Sequence, residues 1–385
     1  MNSTQKLFVS LLSSHLNSTL PRWDNNCDGK ELYRLAAVNG VSAITANELL
    51  RLPEKECLSQ EILSQFRQQI GYTLMDFEEK ERVCKKTVEV FCNENIDFLI
   101  VKGYVLRELY PVKEYRTGGD IDFIIRKKDL QKCEDALKTA GFALAEGGSY
   151  EASFDFDGQH IEVHTQLDCD HKYFEDIFDM CKNEGNRYYI DNETHLLYVL
   201  CHIIKHFRLC GTGIKMFMDI DVLIRHIDNF NYDAFMKRCS LLGIEAFAKA
   251  AFSLCNYWFN TPVKAEIDFK EEAEFRELFE TEIIEGGSFG FERRGLGSYY
   301  LGKAKGAGKI RAFFKMLFPD IKYLKSRYKY ADAHPALIPF AWLHRLFSAI
   351  FIRGGHSLNT AREIANSGDS DSTYRQLLRE LEIAE

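Results

Sequence analysis

The sequence predicts an α+β fold in which a small mixed sheet is flanked by N-terminal and C-terminal helical regions. Three observations predict it. Apolar residues recur every three or four positions from Glu61 to Asn95, strand-like alternation replaces that period between about Asp97 and Leu167, and helical spacing returns over 193–255 and 271–385. A strand, helix, loop, strand, helix and three further strands in succession require a small mixed sheet backed by helices.

Residues 1–95 read as an N-terminal helical region. Its clearest helix is Glu61 to Asn95, carried by Ile62, Phe66, Ile70, Leu74, Phe77, Val83, Val88 and Phe91, with Gly71 as the point where a break is expected. Residues 96–170 read as the core that carries the chemistry. Asp97–Lys102 is a short strand, Tyr104–Tyr110 a helix, Pro111–Gly119 a loop and Asp120–Arg126 a strand. Lys128–Ala140 is a helix stopped by Gly141, and Phe142–Ala145, Tyr150–Phe156 and His160–Leu167 are strands, the last two joined by an Asp157-Gly158 turn. Beyond about Cys169 the strand signal fades. Residues 171–385 read as a mostly helical C-terminal region.

Bulk composition restricts the partners. With 385 residues, 46% hydrophobic and 13% aromatic, the chain can fill the cores of two or three domains. Its formal charge of -8 excludes a protein that coats nucleic acid through its overall field, so any RNA contact must be local. Eleven cysteines without a CxxC pair, and a start at Met1 to Lys6 without a basic-then-apolar signal layout, predict reduced thiols in a cytoplasm. The most apolar late stretch, Leu337–Ile352, is interrupted by His344 and Arg345 and falls short of the roughly 20 residues of a span. No membrane span is expected; the stretch reads as an amphipathic helix against a core, with a membrane surface as the alternative.

The chemistry centres on Arg116-Thr117-Gly118-Gly119-Asp120-Ile121-Asp122-Phe123. Side chains alternate along a strand, so Asp120 and Asp122 share a face while Ile121 and Phe123 take the other. Gly118 and Gly119 permit close approach of backbone or phosphate. Lys102-Gly103, at the opening of a helix, can offer an ammonium and N–H groups to phosphate oxygens. Magnesium takes oxygen ligands, one or two carboxylates together with substrate phosphates, and Glu162 in His160-Ile161-Glu162-Val163-His164 is placed by pattern as a third acid. The plain alternative is that the acids solvate a strand end and Glu162 faces water.

These residues carry a resemblance. Phe98-Leu99-Ile100-Val101-Lys102-Gly103, Leu109-Tyr110-Pro111, Arg116 and Gly119-Asp120-Ile121-Asp122-Phe123 resemble the nucleotidyltransferase family proteins of the DNA polymerase β-like superfamily, in particular a poorly characterised bacterial branch with Lys-Gly in place of Gly-Ser. The similarity runs from about Trp23 to near Asp219, and more loosely to about Leu346. It implies a nucleotidyltransferase core and transfer of a nucleoside monophosphate from an NTP to a hydroxyl acceptor, dependent on Mg²⁺, with Mn²⁺ as a substitute. It implies that Asp120, Asp122 and Glu162 are the catalytic and metal-binding acids. Lys102, Gly103, Gly118 and Gly119 are implied to meet the nucleotide, and Arg116 resembles an arginine that binds triphosphate or braces the loop. Tyr104 follows Gly103, so the hydroxyl of the usual turn is missing. The acceptor is not defined by the resemblance. A noncatalytic binding protein that retains the fold and a toxin-like enzyme acting on tRNA ends are the alternatives.

Four further groups of residues stand out. His202 and His206 have zinc-compatible helical spacing but lack the glutamate of HExxH, and read as structural or as contacts to phosphate. His160, Glu162 and His164 share a strand face that would permit a transition metal. Lys215, Asp219 and Asp221 are candidates for a cleft wall. Lys303–Lys329, interleaved with Phe313, Phe314, Tyr323 and Tyr328, could meet RNA, but reads better as a solvated face whose aromatics pack inward.

Overall fold

The computed structural model describes residues 1–385 except 24–25, 168–171, 269–270, 289, 291, 293–299, 301–307, 352–359, 361–363, 365–369 and 384–385. The N-terminal region forms helices α1 (Ser3–Asn17), α2 (Gly29–Val38), α3 (Ser42–Arg51) and the long α4 (Gln60–Asn93). The side chains of Asn2, Asp28 and Ser59 accept the first free N–H groups of α1, α2 and α4, which fixes where these helices begin. The break expected at Gly71 does not occur. Gly71 faces open space inside a continuous helix of 34 residues, whose ladder absorbs the roughly 1 kcal/mol that a glycine costs.

Seven strands follow: β1 (Phe98–Val101), β2 (Ile121–Ile125), β3 (Ala143–Gly147), β4 (Glu151–Phe156), β5 (Gln159–His164), β6 (Lys182–Glu184) and β7 (Arg187–Tyr189). They make one mixed sheet in the order β3-β4-β5-β2-β1-β7-β6. β1 runs antiparallel to β2, and β2 runs parallel to β5. At the β4–β5 hairpin Asp157 and Gly158 both have positive φ, 47° and 79°, the backbone that a two-residue turn between twisted strands demands. The hairpin β6–β7 is the element that the fading strand signal concealed. It adds to β1 in parallel, Phe98 opposite Arg187 and Leu99 opposite Tyr188. Three-residue strands are too short to display alternation.

The two faces of the sheet have different partners. Phe98, Ile100, Ile121, Phe123, Ile125, Ile161 and Val163 pack with Val83, Cys84 and Phe91 of α4 and, past the short α5 (Gly103–Leu106) in the chain, with Cys133 and Leu137 of α6 (Leu130–Thr139). Leu99, Val101 and Ile124 face a larger core shared with α1–α3, α7 (Asn192–Leu209), α8 (Ile214–Arg225), α9 (Tyr232–Leu241) and α10 (Glu245–Phe259). Asp122 alternates with Phe123 and therefore turns to this second side. An ion-pairing residue thus lies in a central strand between the apolar Ile121 and Phe123.

Farther along the chain, Lys303–Lys329 falls partly outside the described residues, at 303–307. In the described part Tyr323 and Tyr328 pack around Leu324, Ala331 and Ala341, as expected, whereas Phe313 and Phe314 stay exposed. The expectation that all of these aromatics pack inward is corrected. The helix Ile338–Phe351 buries Ala341 but leaves Phe340, Leu343 and Phe347 on the surface. No helix among the described residues is long and apolar enough to cross a membrane.

Candidate active site

The site starts where β1 ends. Lys102 has φ 57° and ψ -141°, a backbone that side chains rarely adopt and that costs of order 1–3 kcal/mol. A hydrogen bond holds it there: the Lys102 N–H donates to Nε2 of His195 on α7 at 3.3 Å. His195 must be unprotonated at Nε2 to accept. Burial pushes its pKa down to about 4, which keeps it neutral. The turn sends the Lys102 ammonium across to β2, where Nζ lies 2.7 Å from Asp122 Oδ1.

Strand register then lines up the rest. Val101 pairs with Asp122 on one side, and Asp122 pairs with Glu162 on the other. Directly paired residues on adjacent strands share a face, so Val101, Asp122 and Glu162 form a row across β1, β2 and β5, and the turn at Lys102 brings its ammonium onto Asp122. His164 follows Glu162 on the same face, with Nε2 3.3 Å from Asp122 Oδ1 and 3.0 Å from Glu162 Oε2. One ligand atom from each of Asp122, Glu162 and His164 fits within 4.8 Å of the others. His160 stands at the edge of this group, its Nδ1 2.7 Å from Asp155 Oδ1 and its Nε2 3.9 Å from Glu162 Oε1.

The electrostatics separate the two aspartates. Burial alone would raise the Asp122 carboxyl, but His164 and Lys102 outweigh it and hold the group below the usual carboxylate range. Asp120 lacks such close support. Burial and the like charges of Asp122 and Glu162 raise its pKa. His164 goes the other way: burial disfavours its charge, yet hydrogen bonds with Asp122, Glu151 and Glu162 lift it well above the ordinary imidazole value.

A brace fixes the loop that leads to Asp120. Arg116 donates from Nε to Asp219 Oδ1 at 3.1 Å and from Nη2 to Oδ2 at 2.6 Å, while the Tyr110 hydroxyl donates to Oδ1 at 2.7 Å. Its Nη1 donates to the Thr117 carbonyl at 2.9 Å. Lys80 takes the Gly118 carbonyl at 2.7 Å and Lys215 the Thr117 carbonyl at 3.3 Å. Gly103 is the seat of this brace, since a Cβ there would stand 2.1 Å from Arg116 Nη1. The glycine after Lys102 is thus required by a guanidinium packed on it.

All eight site residues singled out from the sequence, Lys102, Gly103, Arg116, Gly118, Gly119, Asp120, Asp122 and Glu162, line one cleft. Its opposite wall comes from α7 and α8. His202 and His206 stand there with their Nε2 atoms 3.1 Å apart, and among the described residues no third ligand joins them. Burial and the nearby Lys102 and His206 hold His202 well below the ordinary value, so it is neutral. Lys215 is lowered to about 8 by burial and by Arg116. Asp219 reaches the cleft as the anchor of Arg116, whereas Asp221 is tied to Arg225 and Thr261 away from it. His195, Lys80 and the contact of His164 with Asp122 had no sequence signal, because each depends on a partner far along the chain.

The geometry agrees with what is similar to the chain. No curated protein and no solved structure matches it significantly. The family described as uncharacterised nucleotidyltransferase matches residues 25–260, which takes in α2 to α10 and the whole sheet. With that match over more than half of its length, the chain belongs to this family of nucleotidyltransferases.

Proposed function

We propose that the protein transfers the nucleoside monophosphate of an NTP to a hydroxyl acceptor with release of pyrophosphate. The observation that carries this reading is the pairing of Asp122 with Glu162 across β2 and β5, with the Lys102 ammonium on Asp122, opening on the cleft that also holds Asp120. Asp120, Asp122 and Glu162 would hold Mg²⁺, or Mn²⁺ in its place. The chemistry of the donors supports this: Asp122 and Glu162 offer hard carboxylate oxygens within one ion-sized group, Asp122 is buried and ionised, and Asp120 opens on the same cleft. Bound there, the ion supplies charge to offset the triphosphate and to acidify the acceptor hydroxyl.

The side chains account for the remaining work. Lys102 holds its ammonium against Asp122 at the cleft floor, the group assigned to the triphosphate. Gly118 and Gly119 leave room for it. Arg116 spends its fork on Asp219 and acts by holding the Thr117–Asp120 loop in shape. As the acceptor oxygen bonds to the α-phosphorus, the bond from that phosphorus to the β-bridging oxygen breaks, and the hydroxyl proton passes to Glu162 or to a water beside it. Positioning and charge neutralisation supply most of the rate.

The test is a screen of each α-labelled NTP with Mg²⁺ against small-molecule, RNA and protein fractions. Label is expected to enter an acceptor, and Asp120→Ala with Asp122→Ala to reduce transfer about a thousandfold or more. Transfer that survives this double substitution rules out the proposed centre. Label confined to tRNA ends would select the toxin-like reading, and a protein that binds neither Mg²⁺ nor Mn²⁺, with or without NTP, the noncatalytic one.

A further inference from the structure

Two helices of the C-terminal region, Gly308–Leu317 and Ile338–Phe351, pack together through polar contacts. Trp342 Nε1–H donates to the Pro319 carbonyl at 3.0 Å, and Arg345 Nη2 to the Met316 carbonyl at 3.4 Å. Ala312, Met316 and Ala341 are buried. The outer sides are apolar instead of polar. On the first helix Ile310, Phe313 and Phe314 are 41–76% exposed, and on the second Phe340, Leu343 and Phe347 are 61–63% exposed. Spacings of three, four and seven make each set one helical stripe. Large apolar side chains grouped this way on a surface mark an interaction site.

Charge identifies the partner. The helix Gly308–Leu317 carries Lys309, Arg311 and Lys315 and the helix Ile338–Phe351 carries Arg345, with no acid in either, in a chain whose formal net charge is -8. We propose that this face docks on an anionic lipid bilayer, with the two stripes in the headgroup–acyl boundary and Lys309 and Arg311, exposed on either side of Ile310, on lipid phosphates. A helix of 14 residues lies on such a surface and does not cross it. RNA fits less well, because the exposed phenylalanine rings are interrupted by Ile310 and Leu343, which have no π-face for a base, and Tyr323 and Tyr328 are packed inward. A second copy would bring like charge against like charge.

Sedimentation of the full chain with vesicles tests the proposal. Binding is expected to vesicles of phosphatidylcholine mixed with phosphatidylglycerol, not to phosphatidylcholine alone, and to weaken as salt rises. Phe340→Ser with Leu343→Ser and Phe347→Ser, all at exposed positions, should reduce binding at least tenfold with an unchanged melting temperature; Lys309→Glu with Arg311→Glu should also reduce it. Equal binding to both vesicles, no binding to either, or full binding by the serine variant overturns the proposal. So does displacement of the protein from vesicles by single-stranded RNA through the same residues, or a dimer that the serine variant abolishes without any vesicle binding.

Discussion

Two buried ion pairs stand near each other in this protein and are built on opposite principles. In the pair of Arg116 and Asp219 every charge has its counterpart: the two nitrogens of one fork meet both carboxylate oxygens, a phenol completes Oδ1, and the side chains are 7% and 5% exposed. The pair of Lys102 and Asp122 belongs to a group that does not close. Asp120, Asp122 and Glu162 crowd against Lys102 and His164, and Glu162 keeps a third of its side chain open to the cleft. A cluster whose charges match one to one is scaffold. One that gathers like charges against a cleft stores repulsion that an incoming ion can relieve.

The comparison is sharpest in paired substitutions. Asp219→Ala strands the Arg116 guanidinium in the interior and should cost about 3–5 kcal/mol in chemical denaturation. Asp122→Asn removes one member of a crowd and should change stability far less. Equal costs would erase the distinction between the two pairs.

The neutral imidazole behind Lys102 gives a smaller effect with a definite sign. His195 has a folded pKa of about 4 against its ordinary 6.5. Between these values the unfolded chain holds a proton that the folded chain refuses, so stability falls as pH drops from 6.5 toward about 4 and this contribution levels off below. The loss amounts to at most about 3 kcal/mol. His195→Gln keeps an acceptor for the Lys102 N–H but does not titrate; an unchanged pH slope in that variant would show that His195 is not responsible.

Gly103→Ala should give the smallest change, about 1–3 kcal/mol, because the new methyl must push Arg116 from its seat. Loss of stability comparable to Asp219→Ala would mean that the seat and the salt bridge are one unit; no loss would mean that the guanidinium has room to shift.

Much of this was legible in the sequence, for a physical reason. Strand alternation fixes which side chains share a face, so the row through Asp122 and Glu162 could be read from spacing once β2 and β5 were recognised. The capped, periodic α4 and the Asp157-Gly158 turn were equally local. What stayed hidden depends on contacts between distant residues. The hairpin Lys182–Tyr189 is held by its pairing with β1, and nothing within its own few residues marks it as a strand pair. His195 and Lys80 look like ordinary helix residues until α7 and α4 close on the sheet and its loops. His164 could be placed on the correct face, but its reach to Asp122 depended on the parallel register.

The bond between Arg116 and Asp219 also sets a schedule for synthesis. Its partners are 103 positions apart, so the acids of β2 and β5 leave the ribosome while the counter-charge for Arg116 has yet to be made. A nascent chain that has just released β5 can lay its acidic residues side by side, yet has no anchor for the loop in front of Asp120. Only when α8 emerges does that loop lock. A pause in translation before that helix would leave a guanidinium and an unpaired sheet edge exposed together, the kind of intermediate that draws chaperones.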